Sequence, residues 1–243
     1  STLYAGVYAS GIFKSVDGGA NWTLHASQTL SFIGTIVIDP GTPTTIYAGG
    51  IFSNGGVFKS TNGGLTWQSA NNGLTTPFIN SLALDPLTTS TLYVSTNEGT
   101  FKSIDGAASW TSLNSSLTGR IIIDPVTPTT LYALSGGILK SSNGGINWTP
   151  VNNGLTYLFV SCLIINPTEP AKLFAGVHVY PPDDDAFVAK LNPSGTALVY
   201  STLLGGLEDD EGAAIRLDSS GNAYVAGWSD SPDFPVTPSA FQP

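Results

Sequence analysis

One eight-residue turn, written four times in register, constrains this chain more than any other feature. Ser15-Val16-Asp17-Gly18-Gly19-Ala20-Asn21-Trp22 returns as Ser60-Thr61-Asn62-Gly63-Gly64-Leu65-Thr66-Trp67. It returns again as Ser103-Ile104-Asp105-Gly106-Ala107-Ala108-Ser109-Trp110 and as Ser141-Ser142-Asn143-Gly144-Gly145-Ile146-Asn147-Trp148. The closing tryptophans stand 45, 43 and 38 residues apart. Self-similarity at a steady period of this size means a repeat architecture, in which one supersecondary unit is copied and neighbouring copies bury each other.

The neighbours of the turn say what that unit is. Before it come a Leu/Ile-Tyr run (Leu3-Tyr4, Ile46-Tyr47, Leu92-Tyr93, Leu131-Tyr132) and a Phe/Leu-Lys-Ser run (Phe13-Lys14-Ser15, Phe58-Lys59-Ser60, Phe101-Lys102-Ser103, Leu139-Lys140-Ser141). After it come the tryptophan run and an apolar run that ends at Asp39-Pro40, Asp85-Pro86, Asp124-Pro125 or Asn166-Pro167. Short runs rich in Val, Ile, Tyr, Phe and Trp, punctuated by Gly, Pro and Asn, read as strands joined by turns. Four strands in about 40–50 residues is the pattern of a propeller blade. The fold class that follows is all-β, a β-propeller of four-stranded antiparallel blades, with about five to six blades' worth of chain.

Within the turn, Asp or Asn bonds backbone N–H groups of its own loop, glycine supplies positive φ, and tryptophan packs over the hairpin. The turn therefore reads as a fold staple. It resembles the Asp-box, or BNR, repeat, and the resemblance runs over residues 1–170. The structural positions it marks are Ser15, Asp17, Gly19 and Trp22; Ser60, Asn62, Gly64 and Trp67; Ser103, Asp105 and Trp110; and Ser141, Asn143, Gly145 and Trp148. The third copy has Ala107 where the others have glycine, and Asn62 and Asn143 replace aspartate in two copies.

From residue 171 to 243 the motif changes while the period continues. Asn192-Pro193-Ser194-Gly195, Leu203-Leu204-Gly205-Gly206, Ala213-Ala214-Ile215-Arg216-Leu217-Asp218, Gly221-Asn222-Ala223-Tyr224-Val225-Ala226-Gly227 and Phe234-Pro235 resemble the SBBP repeat of bacterial secreted propellers, over roughly residues 183–243. This segment reads as one further blade and the start of another in the same propeller. Labelling blade strands A to D from the inside out, the chain opens on a B strand at Leu3-Tyr4 and ends its strand pattern on another at Ala223–Val225. One strand is then surplus to a single closed ring, and an unpaired strand is a template for another chain.

Charge narrows the partners. Eight Lys plus Arg stand against 17 Asp plus Glu, a net charge of −9, which offers no footprint for a nucleic-acid backbone. No apolar run approaches the ~20 residues that span a bilayer, so membrane insertion is not expected. Cys162, the one cysteine, lies in the apolar run Val160–Ile165 and reads as an inert buried thiol. The processed look of a chain beginning at Ser1, with low charge and many Thr, Ser and Gly, suggests export to the extracellular space or cell surface.

For catalysis the residues are few. Arg120 and Arg216 are the only arginines, so the arginine triad implied by a sialidase resemblance cannot be assembled. Asp17, Asp39, Asp85, Asp105, Asp124 and Asp218 recur at equivalent places and read as architecture. Glu98, Glu169, Asp183-Asp184-Asp185, Glu208-Asp209-Asp210-Glu211, Asp230 and Asp233 remain for a carboxylate pair of the glycoside-hydrolase kind. No cofactor is expected, with one qualification. Asp183, Asp184, Asp185, Glu208, Asp209 and Asp210 form acidic runs with the oxygen chemistry of calcium, though without the ligand spacing of a calcium loop. His25 and His178 are isolated. The expectation is a non-enzymatic extracellular structural or adhesive module that binds copies of itself or other surface proteins, with a fibre subunit completed by strand exchange as its assembled form. A carbohydrate-active or glycan-binding propeller is the alternative.

Overall fold

The computed structural model describes residues 2–7, 9–26, 30, 32–52, 55–155, 158–166, 170, 173–177, 186–191, 198–217 and 223–236. The first sheet has three strands, β1 (Leu3–Val7), β2 (Gly11–Ser15) and β3 (Thr23–Ala26), in that order. Four sheets of four strands follow. They are β4 (Ile33–Ile38), β5 (Ile46–Gly50), β6 (Gly56–Ser60) and β7 (Gln68–Ser69); β8 (Ile79–Leu84), β9 (Leu92–Thr96), β10 (Gly99–Ser103) and β11 (Thr111–Asn114); β12 (Arg120–Ile123), β13 (Leu131–Leu134), β14 (Ile138–Ser141) and β15 (Thr149–Pro150); and β16 (Val160–Ile165), β17 (Leu173–Val177), β18 (Ala186–Leu191) and β19 (Leu198–Leu204). A two-stranded sheet of β20 (Asp210–Leu217) and β21 (Ala223–Ser229) comes last. Within each sheet sequence neighbours are sheet neighbours, and the pairings are antiparallel, as the meander of a propeller blade requires.

This is the strand complement read from the sequence: three strands, four complete blades, then two. One detail differs, because the tryptophans end the turns and the last strands begin one residue later, at Thr23, Gln68, Thr111 and Thr149. The indole is thereby free to fold back over its turn or reach the preceding repeat.

The chain divides into two compact units, one of Ser1–Ile123, Thr127–Ala133 and Ser142–Asn147, the other of Asp124–Val126, Leu134–Ser141 and Trp148–Pro243. In the first, the inner strands β5 and β9 are buried along their whole length. Tyr47, Val57, Ile79, Leu82, Leu92, Val94, Phe101, Ala107 and Trp110 form one core cluster, and Ile12, Leu30, Ile33 and Ala48 another. Successive blades approach closely where the Tyr-Ala-Gly run places a glycine. A Cβ on Gly6 would lie 2.7 Å from the Ile33 carbonyl oxygen, and one on Gly49 would lie 2.6 Å from Ile79 Cγ2. Glycine is needed there for contact between blades. In the second unit Cys162, Phe174, Val188 and Ile215 form the core, which makes the buried thiol of Cys162 part of the packing.

Candidate functional site

The recurrent turn is organised around its serine, which is 1 % exposed in every copy. The Ser15 hydroxyl donates to Asp17 Oδ1 at 2.7 Å and accepts the Gly19 N–H at 2.9 Å. Asp17 then accepts the Asn21 N–H at 3.0 Å on Oδ1 and the Asn21 side-chain amide at 2.8 Å on Oδ2. The second and third copies repeat the pattern, with Gly64 N–H to Ser60 and Thr66 N–H to Asn62 Oδ1, and with Ala107 N–H to Ser103 and Ser109 N–H to Asp105 Oδ1, all at 2.9 Å. In the fourth, Asn147 N–H reaches Asn143 Oδ1 at 2.9 Å. One acceptor oxygen closes the loop, so asparagine serves as well as aspartate.

Where the residue is aspartate, these donors favour its anion. The Asn21 side chain, the Asn21 N–H and the Ser15 hydroxyl hold Asp17 far below the ordinary carboxylate range. The Ser109 hydroxyl, the Ser109 N–H and the Ser103 hydroxyl lower Asp105 to about 2. Two glycines in positive φ turn the chain, +70° and +86° at Gly63 and Gly64. Ala107 adopts the same conformation at +67°, so the third copy keeps the turn in spite of its Cβ.

The turn is also a receptor for the repeat before it. Tyr4 Oη donates to the Gly63 carbonyl at 2.9 Å, Lys14 Nζ to the same oxygen at 3.4 Å, and Lys14 lies 5.2 Å from the Tyr4 ring centroid. His25 Nε2 lies 2.9 Å from that carbonyl as well. Tyr47 and Lys59 meet the Gly106 carbonyl at 3.3 and 2.8 Å, and Tyr93 meets the Gly144 carbonyl at 3.4 Å with Lys102 5.2 Å from its ring. The second, third and fourth turns are thus each met by a tyrosine and a lysine of the previous repeat, the tyrosine on the strand just before the one that carries the lysine. In the sequence these residues stand out only as strand markers. Their recurrence together with the turn was the signal that they act as a unit.

The aspartates at Asp-Pro turns do local work too. Asp39 Oδ1 accepts Gly41 and Thr42 N–H at 2.8 and 3.1 Å, Asp85 Oδ1 accepts Leu87 and Thr88 N–H at 2.9 and 3.0 Å, and Asp124 Oδ1 accepts Val126 N–H at 2.9 Å. Glu98 lies in the exposed β9–β10 turn. Asp183, Asp184, Asp185, Glu169, His178 and Asp218 lie outside the described residues. Among the described residues no three of His, Cys, Asp and Glu gather as a metal site.

The second acidic run is split by the fold. Glu208 and Asp209 are exposed, whereas Asp210 is 1 % exposed at the start of β20. Asp210 Oδ2 accepts the Gly206 N–H and the Ser231 hydroxyl, both at 2.8 Å, while Oδ1 is buried with no hydrogen-bond partner. Asp233 Oδ1 accepts the Leu207 N–H, Ser231 Oγ accepts the Glu208 N–H, and Asp230 N–H bonds the Asp209 carbonyl, each at 2.9 Å. Two acidic loops, 206–209 and 230–234, are clamped together by these bonds. Beside them a cavity of about 370 Å³ is lined by Asp210, Val225, Trp228, Ser229 and Phe234 among others.

Residues 199–235 match the family model of the SBBP beta-propeller repeat. No curated protein matches the chain. Among solved structures, an ancestral GH74 enzyme is similar at 20% identity and a TM-score of 0.68, over 94% of this chain and 36% of that one. A chain of a nidogen/laminin complex is similar at 18% identity and a TM-score of 0.65, over 93% of this chain and 85% of that one. YCF48 from Cyanidioschyzon merolae is similar at 15% identity and a TM-score of 0.62, over 93% and 76%. The chain spans about a third of the length of that GH74 enzyme. With the four-stranded antiparallel sheets and the matched repeat, these likenesses establish that the chain has the β-propeller fold.

Proposed function

We propose that this chain is a non-enzymatic, extracellular β-propeller module that binds other proteins, copies of itself included, through exposed edge strands of its first and last sheets. The observation that carries the reading is the strand complement of the first and last sheets. Among the described residues β1 is an edge strand of a three-stranded sheet, with Leu3 and Val7 each 39% exposed, and β21 is an edge strand of a two-stranded sheet, with Tyr224 61% and Trp228 46% exposed. Open edges present backbone donors and acceptors in a row, and an added strand satisfies them. One chain offers two different edges, so pairing between copies is head to tail and leads to an open fibre. The GH74 likeness, at 20% identity, concerns the fold.

Light scattering across a concentration series, with electron microscopy of the concentrated chain, tests the proposal. The chain is expected to grow in mass with concentration, and the double variant Val7→Lys, Tyr224→Lys, with an edge charge on each side, is expected to remain monomeric. A chain that stays strictly monomeric at high concentration overturns the self-assembly reading.

A further inference from the structure

The cavity beside β20 and β21 combines an apolar and aromatic wall with one buried carboxylate. Leu204, Val225, Trp228 and Phe234 supply the wall, and Asp210 and Ser229 its polar side chains. Asp210 has one oxygen fully engaged and the other buried without a hydrogen-bond partner. That second oxygen is an acceptor the fold leaves without a donor. Burial pushes the pKa of Asp210 up, but the Ser229 hydroxyl, the Gly206 N–H and the Ser231 hydroxyl outweigh burial and keep it below the ordinary value, so it is an anion at neutral pH. The other charged side chains of the two clamped loops, Glu208, Asp209, Asp230 and Asp233, are exposed and acidic as well. Arg216, the cation of β20, directs Nη1 to the Ile215 carbonyl at 2.9 Å.

We propose that this cavity binds a lysine side chain of a partner polypeptide, its aliphatic stem against Trp228, Phe234 and Val225 and its ammonium at Ser229 and Asp210. In the complex the Ser229 hydroxyl, which lies beside the carboxylate, donates to Oδ1 and accepts from the ammonium. The chemistry of the walls selects this ligand. A guanidinium presents a fork that wants two free oxygens, and Oδ2 is already taken by Gly206 and Ser231. A calcium ion needs six to eight oxygen ligands, and the side chains lining the cavity supply one carboxylate and one hydroxyl. A wholly apolar ligand brings no donor to the unpartnered oxygen. An ammonium is a compact donor that accepts one-sided pairing, gains from an indole face, and is drawn in by the acidic loops.

The test titrates the ¹⁵N-labelled 243-residue chain with a blocked Gly-Gly-Lys-Gly-Gly peptide, beside the same peptide carrying norleucine or arginine instead of lysine. Lysine peptide is expected to shift amides of residues 204–212 and 225–234, with norleucine peptide at least about tenfold weaker and arginine peptide weaker than lysine. Asp210→Asn is expected to weaken lysine-peptide binding about tenfold, and Trp228→Ala about threefold through loss of the indole face. If Asp210→Asn fails to fold, the half-exposed Trp228→Ala and the exposed Ser229→Ala carry the test. Equal binding of the lysine and norleucine peptides, shifts that map elsewhere, or no shift at all overturns the proposal. The double variant Val7→Lys, Tyr224→Lys is expected to keep lysine-peptide binding, which separates this site from edge pairing.

Discussion

The first and third copies of the repeat carry nearly the same residues in different surroundings. Trp22 is 42% exposed and Trp110 5%, while Leu3 is 39% exposed and its counterpart Leu92 is fully buried. β9 has β8 on one edge and β10 on the other, whereas β1 pairs only with β2 in its sheet. Trp110 also reaches the repeat before it, donating its indole N–H to the Ala70 carbonyl and its backbone N–H to the Asn72 carbonyl, both at 2.8 Å. A repeat of this kind does not bury its own motif, because the adjoining repeat does so.

That comparison breaks if equivalent substitutions cost the same in both copies. Trp110→Ala is expected to cost about 3–5 kcal/mol in urea melts, through a lost core contact and the cavity it leaves. Trp22→Ala is expected to cost under about 1 kcal/mol, as a surface change does. Leu92→Ala in the fully buried β9 is expected to cost about 2–5 kcal/mol, and Leu3→Ala under about 1 kcal/mol. Matching losses within either pair would mean that the first repeat is covered as the third is.

Smaller effects sharpen the comparison inside the turn. Ala107 holds a φ of +67°, which a glycine adopts freely. Ala107→Gly relieves about 0.5–1 kcal/mol of strain but removes a buried methyl worth about 0.8 kcal/mol from the core cluster, so the thermal midpoint is expected to stay nearly unchanged. Gly19→Ala, where a Cβ would have room 3.5 Å from Leu3 Cδ1 but φ is +98°, is expected to lower stability by about 1 kcal/mol.

The last difference is confined to acid. Asp105 sits at about 2 when folded against an ordinary value of 3.8, so the unfolded chain takes up the proton first. The stability it supplies is present above 3.8 and is lost as pH falls toward 2. Asp105→Asn, which installs the residue already present in the second and fourth copies, is expected to leave stability at neutral pH nearly unchanged and to flatten the acid limb of the melting curve. An acid limb identical to that of the parent chain would show that the turn carboxylate is not linked to folding.

The sequence by itself determined the period, the number of strands and the chemistry of the turn, because these depend on residues close together in the chain. Ser15, Asp17 and Asn21 bond one another within seven residues, so their roles are readable without a fold. The tertiary structure alone decided what crosses between repeats. Tyr4 and Gly63 are 59 residues apart, and nothing local in either motif says that a hydroxyl of one meets a carbonyl of the other. It also decided the fate of the acidic run, leaving Glu208 and Asp209 in solvent and folding Asp210 beneath Ser231, 21 residues away. A run of like charges gives no hint of which member is buried, since that depends on the loop from a later part of the chain that closes over it.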